Sequence, residues 1–228
     1  MILAFLYPDA AWAGDDAVTR GAQIAALGNG RGAPACASCH AFNGVADPSG
    51  AFPRLAGQSQ AYILQSLNGF ANGSRKNALM TGIATVMSDQ ERADVAAYYA
   101  SVTAPVPPSP QADEKIIEAG RVIATIGVND QQIPACAACH GPFGRSATPT
   151  IPSLAGQYGR YIAFELQMFR GGERTSGADS MTPLAHSLSD AQIAAVGAYF
   201  QRVGSPTAST MPVPTVPPDP ATSKGRSP

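Results

Sequence analysis

The chain has 228 residues, a length that suits one large domain or two small ones. Its 15 Lys and Arg nearly balance 16 Asp and Glu, so the formal charge is −1, and charged residues make up only 14% of the sequence. This composition argues against nucleic acid as a partner, because binding to phosphates requires a concentrated basic face.

We interpret residues 1–13 as the remnant of an export signal. Their apolar run, residues 2–7, is far too short to span a bilayer, which needs about 20 apolar residues. Residues 11–13, Ala-Trp-Ala, have the small-x-small form of a cleavage site, although the basic start of a complete signal peptide is missing. An ordinary chain terminus is the alternative, so this segment alone supports export only weakly.

The rest of the chain contains a tandem repeat with an offset of about 100 residues. PACASCHAFNG at 34–44 nearly recurs as PACAACHGPFG at 134–144, and PRLAGQ at 53–58 recurs as PSLAGQ at 152–157. Matching Phe-x-x-Gly-x-Arg, Met-x-x-x-Ala and Ser-Asp landmarks follow in the same order. Such ordered matches indicate two copies of one domain.

The repeat and the distribution of prolines predict the domain organisation. We place the first domain at 14–103 and the second at 113–204. The proline-rich stretch between them, 104–112, is predicted to be an extended, semi-rigid linker. Residues 205–228 contain seven prolines and few apolar side chains, so we expect a disordered tail there.

Each domain is predicted to be all-α, with three helices joined by long loops. Apolar residues at helical spacing predict first helices over 15–28 and 113–127. The second helices are predicted to start near Ser59 and Tyr158. The third helices are predicted to start at capping boxes, Ser88-x-x-Glu91 in the first half and Ser189-x-x-Gln192 in the second.

Gly21 and Gly120 occupy equivalent positions inside the two first helices. Glycine inside a helix costs about 1 kcal/mol relative to alanine. We therefore predict that another helix approaches closely at each glycine, and the third helix of the same domain, which carries an aromatic pair, is the expected neighbour.

All four cysteines belong to two Cys-x-x-Cys-His motifs, at 36–40 and 136–140. A zinc site would need a second cysteine pair about 15 to 20 residues away, or another histidine nearby. A thioredoxin-like redox pair would need a βαβ setting, and plain disulfides would not explain a histidine directly after each pair. Covalent attachment of c-type haem explains the cysteines and the histidines together.

The chemistry of haem c explains the spacing in these motifs. Two thiols three positions apart on a helical turn can reach the two vinyl groups on one edge of the porphyrin, and the next residue presents its imidazole to the iron. We predict two haems c per chain, with thioether bonds from Cys36, Cys39, Cys136 and Cys139 and axial ligation of the iron by His40 and His140.

Methionines are the candidates for the second axial position of each iron. Met80 and Met181 are equivalent in the repeat and follow the motif histidines by 40 and 41 residues. A lone methionine is more often core filler than a ligand, but recurrence at equal spacing favours ligation. Met87 is the alternative in the first half, although its counterpart in the repeat is Leu188.

Two further recurring pairs are candidate haem contacts. A metal-bound imidazole usually donates its far N–H to a carbonyl or carboxylate, so the carbonyls of Pro53 and Pro152 are candidate acceptors. The alternative for these residues is a turn proline that opens a loop. Arg75 and Arg174 are candidate partners of the haem propionates, with solvated cations at helix ends as the alternative.

On these motifs, the chain resembles the class I c-type cytochromes and, more closely, the diheme cytochrome c4 family. The resemblance covers about residues 15–204. It implies two tandem cytochrome c domains related by a pseudo-two-fold axis, each wrapped around one covalently bound haem c, with the propionate edges of the haems facing each other. The incomplete signal and the proline-rich tail depart from the usual pattern of the family.

The resemblance implies a periplasmic electron carrier, not an enzyme, which passes electrons from a cytochrome bc-type complex or a dehydrogenase to a terminal oxidase. No transmembrane span is predicted, and peripheral association with the inner membrane is left open. One alternative is a diheme subunit docked on a dehydrogenase of the flavocytochrome or alcohol dehydrogenase type. A remote alternative is a diheme peroxidase, which would need one iron without its methionine.

Overall fold

The structure of the protein is a computed structural model that describes residues 12–106, which we call the first half, and 112–203, the second half. Most of the predicted export remnant at 1–13 and the middle of the predicted linker lie outside the described residues. The predicted tail at 205–228 also lies outside them.

The first half is built from helices and connecting loops. Its helices are α1 (Trp12–Leu27), α2 (Ala37–His40), α3 (Gln60–Asn72), α4 (Ala78–Thr85) and α5 (Asp89–Ser101).

The second half repeats this order of helices. Its helices are α6 (Glu114–Thr125), α7 (Ala137–His140), α8 (Gly159–Gly171), α9 (Ala178–Ser187) and α10 (Asp190–Val203). A short antiparallel pair of strands, β1 (Gly127–Val128) and β2 (Ile133–Pro134), and 3-10 turns at Asn129–Gln131 and Pro142–Gly144 are additions in this half.

The predicted all-α class is confirmed, and so are both predicted capping boxes. At the start of α5, the Glu91 N–H donates to Ser88 Oγ at 3.2 Å, and the Ser88 N–H donates back to Glu91 Oε2 at 2.7 Å. Ser189 and Gln192 make the same two bonds at 3.2 and 2.8 Å at the start of α10. These reciprocal bonds satisfy N–H groups that have no partner inside the helix.

The short helices α4 and α9 were not among the predicted helices. α4 has eight residues and contains Gly82, and α9 contains Pro183 in its interior. Helices this short depend on tertiary packing rather than on intrinsic propensity, so the sequence pattern gives little signal for them. Both are important for the site, because α4 carries Met80 and α9 carries Met181.

Each half has its own hydrophobic core. The first core contains Ile63, Leu67 and Val95. The second contains their equivalents in the repeat, which are Ile162, Leu166 and Val196. The two halves therefore bury equivalent residues of α3 and α8 and of α5 and α10.

The prediction that Gly21 and Gly120 mark a close helix approach is confirmed. A Cβ at Gly21 would lie 2.0 Å from the backbone oxygen of Asp94 in α5, and a Cβ at Gly120 would lie 2.0 Å from that of Ala195 in α10. No side chain fits at such a distance, so the first and last helices of each half touch through their backbones.

We expect Gly21→Ala and Gly120→Ala each to lower the free energy of unfolding by about 1–3 kcal/mol, the usual cost of overpacking, because the helices must move apart. Gly82 in α4 is the matched control, since it is helical but an added Cβ there meets nothing within 4 Å. Gly82→Ala should raise stability by about 0.5–1 kcal/mol. Denaturant titration followed by circular dichroism measures all three, and equal effects would contradict the packing explanation.

Candidate functional site

Five of the predicted site residues of the first half line one cavity. The cavity has a volume of about 370 Å³ and is lined by Cys36, His40, Pro53, Arg75 and Met80 together with apolar residues of α3, α4 and α5. Residues of the second half complete its wall, among them Gln157, Tyr161 and Glu165. The cavity therefore reaches the contact between the two halves.

A single helical turn positions the cysteine and histidine of each motif. The His40 N–H donates to the Cys36 carbonyl at 2.9 Å, and the His140 N–H donates to the Cys136 carbonyl at 2.9 Å. The histidine therefore lies one helical turn after the first cysteine, on the same face of the turn. Both histidine side chains are buried.

Each histidine ring is oriented by a proline carbonyl. His40 Nδ1 lies 3.2 Å from the Pro53 oxygen, and His140 Nδ1 lies 2.9 Å from the Pro152 oxygen. Because a carbonyl oxygen can only accept, Nδ1 carries the proton and Nε2 keeps its lone pair. Burial lowers the pKa of both histidines, which favours the neutral imidazole that a metal requires.

The cysteines do not form the alternative sites considered above. All four lie within the described residues, and none is in a disulfide. Burial raises the pKa of the Cys36 thiol and raises that of Cys136 to about 11, which disfavours a reactive thiolate. Across the described ranges, no group of three His, Cys, Asp or Glu side chains could hold a metal ion such as zinc.

The two methionines near the first cavity differ in their surroundings. Met80 is partly buried at the start of α4, where the Asn77 side chain caps the helix by accepting from the Met80 N–H at 3.0 Å. Met87 also lines the cavity, but it belongs to the buried core, as does its counterpart Leu188 in the second half. Met181 is partly buried against the second core.

Arg75 and Arg174 are buried, with 3% and 7% of their surface exposed, so the alternative that they are solvated cations is wrong. Both pair with one carboxylate of α8, since Arg75 reaches Glu165 Oε1 at 2.5 Å and Arg174 reaches Glu165 Oε2 at 2.6 Å. Each also donates across the interface to a tyrosine of the opposite half, Arg75 to Tyr161 at 2.6 Å and Arg174 to Tyr62 at 3.1 Å. We call these five residues the arginine cluster.

The arginine cluster still has unused donors. The Nε atoms of Arg75 and Arg174 are buried without a hydrogen-bond partner. Burial raises the pKa of Glu165, but the two guanidinium groups outweigh this and hold it below its ordinary value. The cluster therefore carries two positive charges against one negative charge, and it could accept an additional anionic group such as a haem propionate.

The halves also contact each other through a symmetric pair of buried glutamines. Gln157 accepts from the Arg54 N–H and donates to the Arg54 carbonyl, both at 2.9 Å. Gln58 makes the same two bonds to Ser153, at 3.0 and 2.9 Å. An antiparallel bridge between Arg75 and Arg174 adds backbone contacts.

Sequence reasoning did not assign a function to several residues of this interface. Gln58 and Gln157 end the repeated PRLAGQ and PSLAGQ segments, and Tyr62 and Tyr161 recur at the same offset, so repetition was the available signal. Glu165 has no such signal, because the equivalent position in the first half is Ser66.

These features fit covalently bound haem. Each half presents a Cys-x-x-Cys-His turn and a buried neutral histidine. In the first half, the histidine lines an apolar cavity together with a methionine from a separate helix and a buried arginine whose Nε has no partner. Two such units in one helical chain define a diheme c-type cytochrome.

In the part of the chain that the structure describes, no helix is long and apolar enough to cross a membrane.

Comparison with known proteins gives the same result. The Cytochrome c family model matches residues 18–103 and 128–204. Cytochrome c4 of Pseudomonas aeruginosa (strain PAO1) is 38% identical over 180 residues, covering 78% of this chain and 87% of the relative. A thiosulfate dehydrogenase electron acceptor of Stutzerimonas stutzeri (strain A1501) is 36% identical over 173 residues, 75% of this chain and 80% of the relative.

A solved structure extends the comparison to the fold. The crystal structure of reduced recombinant cytochrome c4 from Pseudomonas stutzeri matches with a TM-score of 0.69 and 33% identity, over 82% of this chain and 97% of that chain. The chain belongs to the cytochrome c family and, within it, to the diheme cytochrome c4 group of electron-transfer proteins. It has two tandem cytochrome c domains and two covalently attached haems c.

Proposed function

We propose that the protein is a periplasmic electron carrier in which Cys36 and Cys39 hold one haem and Cys136 and Cys139 hold the other. The observation that carries this proposal is that the histidine, the first cysteine and a methionine from another helix line one cavity in the first half, and that their equivalents recur in the second. When bound, each haem supplies one-electron oxidation and reduction. The protein holds, orients and shields it.

We further propose His40 and Met80 as the axial ligands in the first half, and His140 and Met181 in the second. Each Pro carbonyl fixes the imidazole so that Nε2 is available to the iron. Met87 is disfavoured as a ligand because it fills the same core position as Leu188, which cannot ligate iron. If Met80 and Met181 bind the irons as proposed, neither haem would leave a position open to peroxide, and a diheme peroxidase would not be expected.

Arg75 and Arg174 are proposed to bind haem propionates through their unsatisfied Nε–H groups. Glu165 and the two tyrosines already accept from Nη2 of Arg75 and from both Nη atoms of Arg174, so the guanidinium planes are held in place before an anion binds. Both lie where the halves meet. This placement is consistent with propionate edges that face each other across the interface.

The route of electrons has two candidate forms. The first is a shuttle from a cytochrome bc-type complex or a dehydrogenase to a terminal oxidase, in the periplasm or at the inner membrane surface. The second is service as the acceptor of a thiosulfate dehydrogenase, favoured by the relative that carries that name. Stopped-flow reduction by a thiosulfate dehydrogenase and by a bc-type complex, under equal conditions, distinguishes the two.

The proposed haem attachment predicts two haems per chain. Mass spectrometry of the exported protein should show the mass of the polypeptide plus two haems, and acid–acetone treatment should extract neither. Replacement of Cys136 and Cys139 with alanine should leave one covalently bound haem, and replacement of Cys36 and Cys39 should leave the other. A wild-type protein with one haem or none would contradict the proposal.

A further inference from the structure

One peptide group in each half is hydrogen-bonded on both of its sides. The Pro53 carbonyl accepts from His40 Nδ1 at 3.2 Å, and the N–H of the same peptide group, that of Arg54, donates to Gln157 Oε1 at 2.9 Å. A planar trans peptide points its C=O and N–H in opposite directions, so it connects the two side chains in line. Gln157, however, belongs to the other half of the molecule.

The second half contains the equivalent connection. The Pro152 carbonyl accepts from His140 Nδ1 at 2.9 Å, and the Ser153 N–H of that peptide group donates to Gln58 Oε1 at 3.0 Å. Each motif histidine is therefore one peptide group away from a glutamine of the opposite half. We call these two connections the crossed relays.

We propose that Gln58 and Gln157 are positioning residues that set the redox potential of the haem in the opposite half through the crossed relays. Gln157 acts on the haem bound at His40, and Gln58 acts on the haem bound at His140. This inference rests on the proposed function, in which these two histidines ligate the irons.

The physical basis is the mutual polarisation of hydrogen bonds in a chain. When a glutamine oxygen accepts from the peptide N–H, the carbonyl at the other end of that peptide becomes a stronger acceptor. It then draws more strongly on the histidine Nδ1 proton, which makes the imidazole a better electron donor to the metal. A better donor stabilises the more positive, oxidised iron, so an intact relay lowers the potential.

Each glutamine is held firmly enough for this role. Gln58 and Gln157 are buried, with 9% and 8% of their surface exposed. Their Oε1 atoms also accept from the next backbone N–H, at Ser59 and Tyr158, both at 3.0 Å. Their Nε2 atoms donate to the Ser153 and Arg54 carbonyls. The amide orientation is thus fixed by backbone partners that can only donate or only accept.

The test replaces each glutamine with methionine, which keeps the side-chain length and removes both hydrogen-bonding atoms. In Gln157→Met, we expect the potential of the first-half haem to rise, with a several-fold change in its ratio of reduced to oxidised form at a fixed potential and a smaller change at the other haem. Gln58→Met should give the reverse pattern. Redox titration followed by NMR of assigned haem methyl resonances measures each haem separately.

A second readout follows the relay itself. In the reduced protein, the Nδ1 proton resonance of His40 should move to lower chemical shift in Gln157→Met, because its hydrogen bond weakens, while that of His140 stays in place. Gln157→Glu, whose carboxylate is a stronger acceptor, should move the His40 resonance the other way. The carboxylate variant also serves if Gln157→Met does not fold.

Tyr158→Phe is the matched control, because the Tyr158 hydroxyl joins the two halves through the Ala46 carbonyl at 2.5 Å but is outside the crossed relays. Tyr158→Phe should not shift the potential of the first-half haem more than that of the second-half haem. A glutamine variant that shifts both haems equally, shifts the haem of its own half more than the opposite one, or shifts neither would overturn the proposal. If histidine–methionine ligation proves absent in the wild-type optical and NMR spectra, it is the proposed function that fails.

Discussion

Met80→Ala is expected to remove half of the weak sulfur-to-iron absorption band of the oxidised protein, and Met181→Ala the other half. The reason is that each methionine is the proposed sulfur ligand of one iron and lies on a separate helix, so the two sites should lose ligation independently. The potential of the affected haem should fall well below that of the other, because methionine ligation raises the potential of a haem iron. The reduced variant should also bind carbon monoxide at one haem per chain.

Met87→Leu is the matched control for this experiment. Leucine is the residue that the second half has at the equivalent position, where it is buried in the core. The substitution keeps an apolar side chain of similar size, so it should leave the band, the potentials and the resistance to carbon monoxide unchanged. Loss of the band in Met87→Leu with its retention in Met80→Ala would reverse the assignment in the first half.

The repeat in the sequence predicted two copies of one helical domain, because residues that recur at a fixed offset take equivalent places in the packing of both halves. The capping boxes at Ser88 and Ser189 were predicted correctly from their local patterns, and the helix contacts at Gly21 and Gly120 from the cost of glycine inside a helix. Each depends on neighbours close in the chain or on a backbone contact that only glycine allows. Such features leave a signature in one sequence.

The interface between the halves could not be predicted in the same way. Repetition shows that Arg75 and Arg174 are equivalent, but not that both face the same partner across a symmetry axis. Glu165 serves both arginines with one carboxylate, and its counterpart Ser66 provides no second one. Comparing the halves therefore gives no indication of Glu165, which neutralises part of the charge at their contact.

Glu165→Gln is expected to lower the free energy of unfolding of the haem-bound protein by about 3 kcal/mol, the lower end of the range for removing one partner of a buried ion pair. The variant replaces the carboxylate that both guanidinium groups share with a neutral amide, so only the proposed propionates would remain to offset their charge. Glu118→Gln is the control, because Glu118 pairs with Arg121 on the surface with 56% of its side chain exposed. A surface pair contributes at most about 1 kcal/mol.

The effect of Glu165 should also depend on pH in a direction that its pKa fixes. Arg75 and Arg174 hold its pKa in the folded protein below the ordinary value of 4.5, despite burial, which raises it, and the Tyr161 hydroxyl lowers it further by hydrogen bonding. A depressed pKa gives stability that is fully present above the unfolded value and is lost as the pH falls through the folded value. The gap in unfolding free energy between wild type and Glu165→Gln should therefore be constant near neutral pH and shrink below about pH 4.5. Chemical denaturation at a series of pH values measures this gap, and a gap that widens on acidification would show that Glu165 is not held as a buried carboxylate between the two arginines.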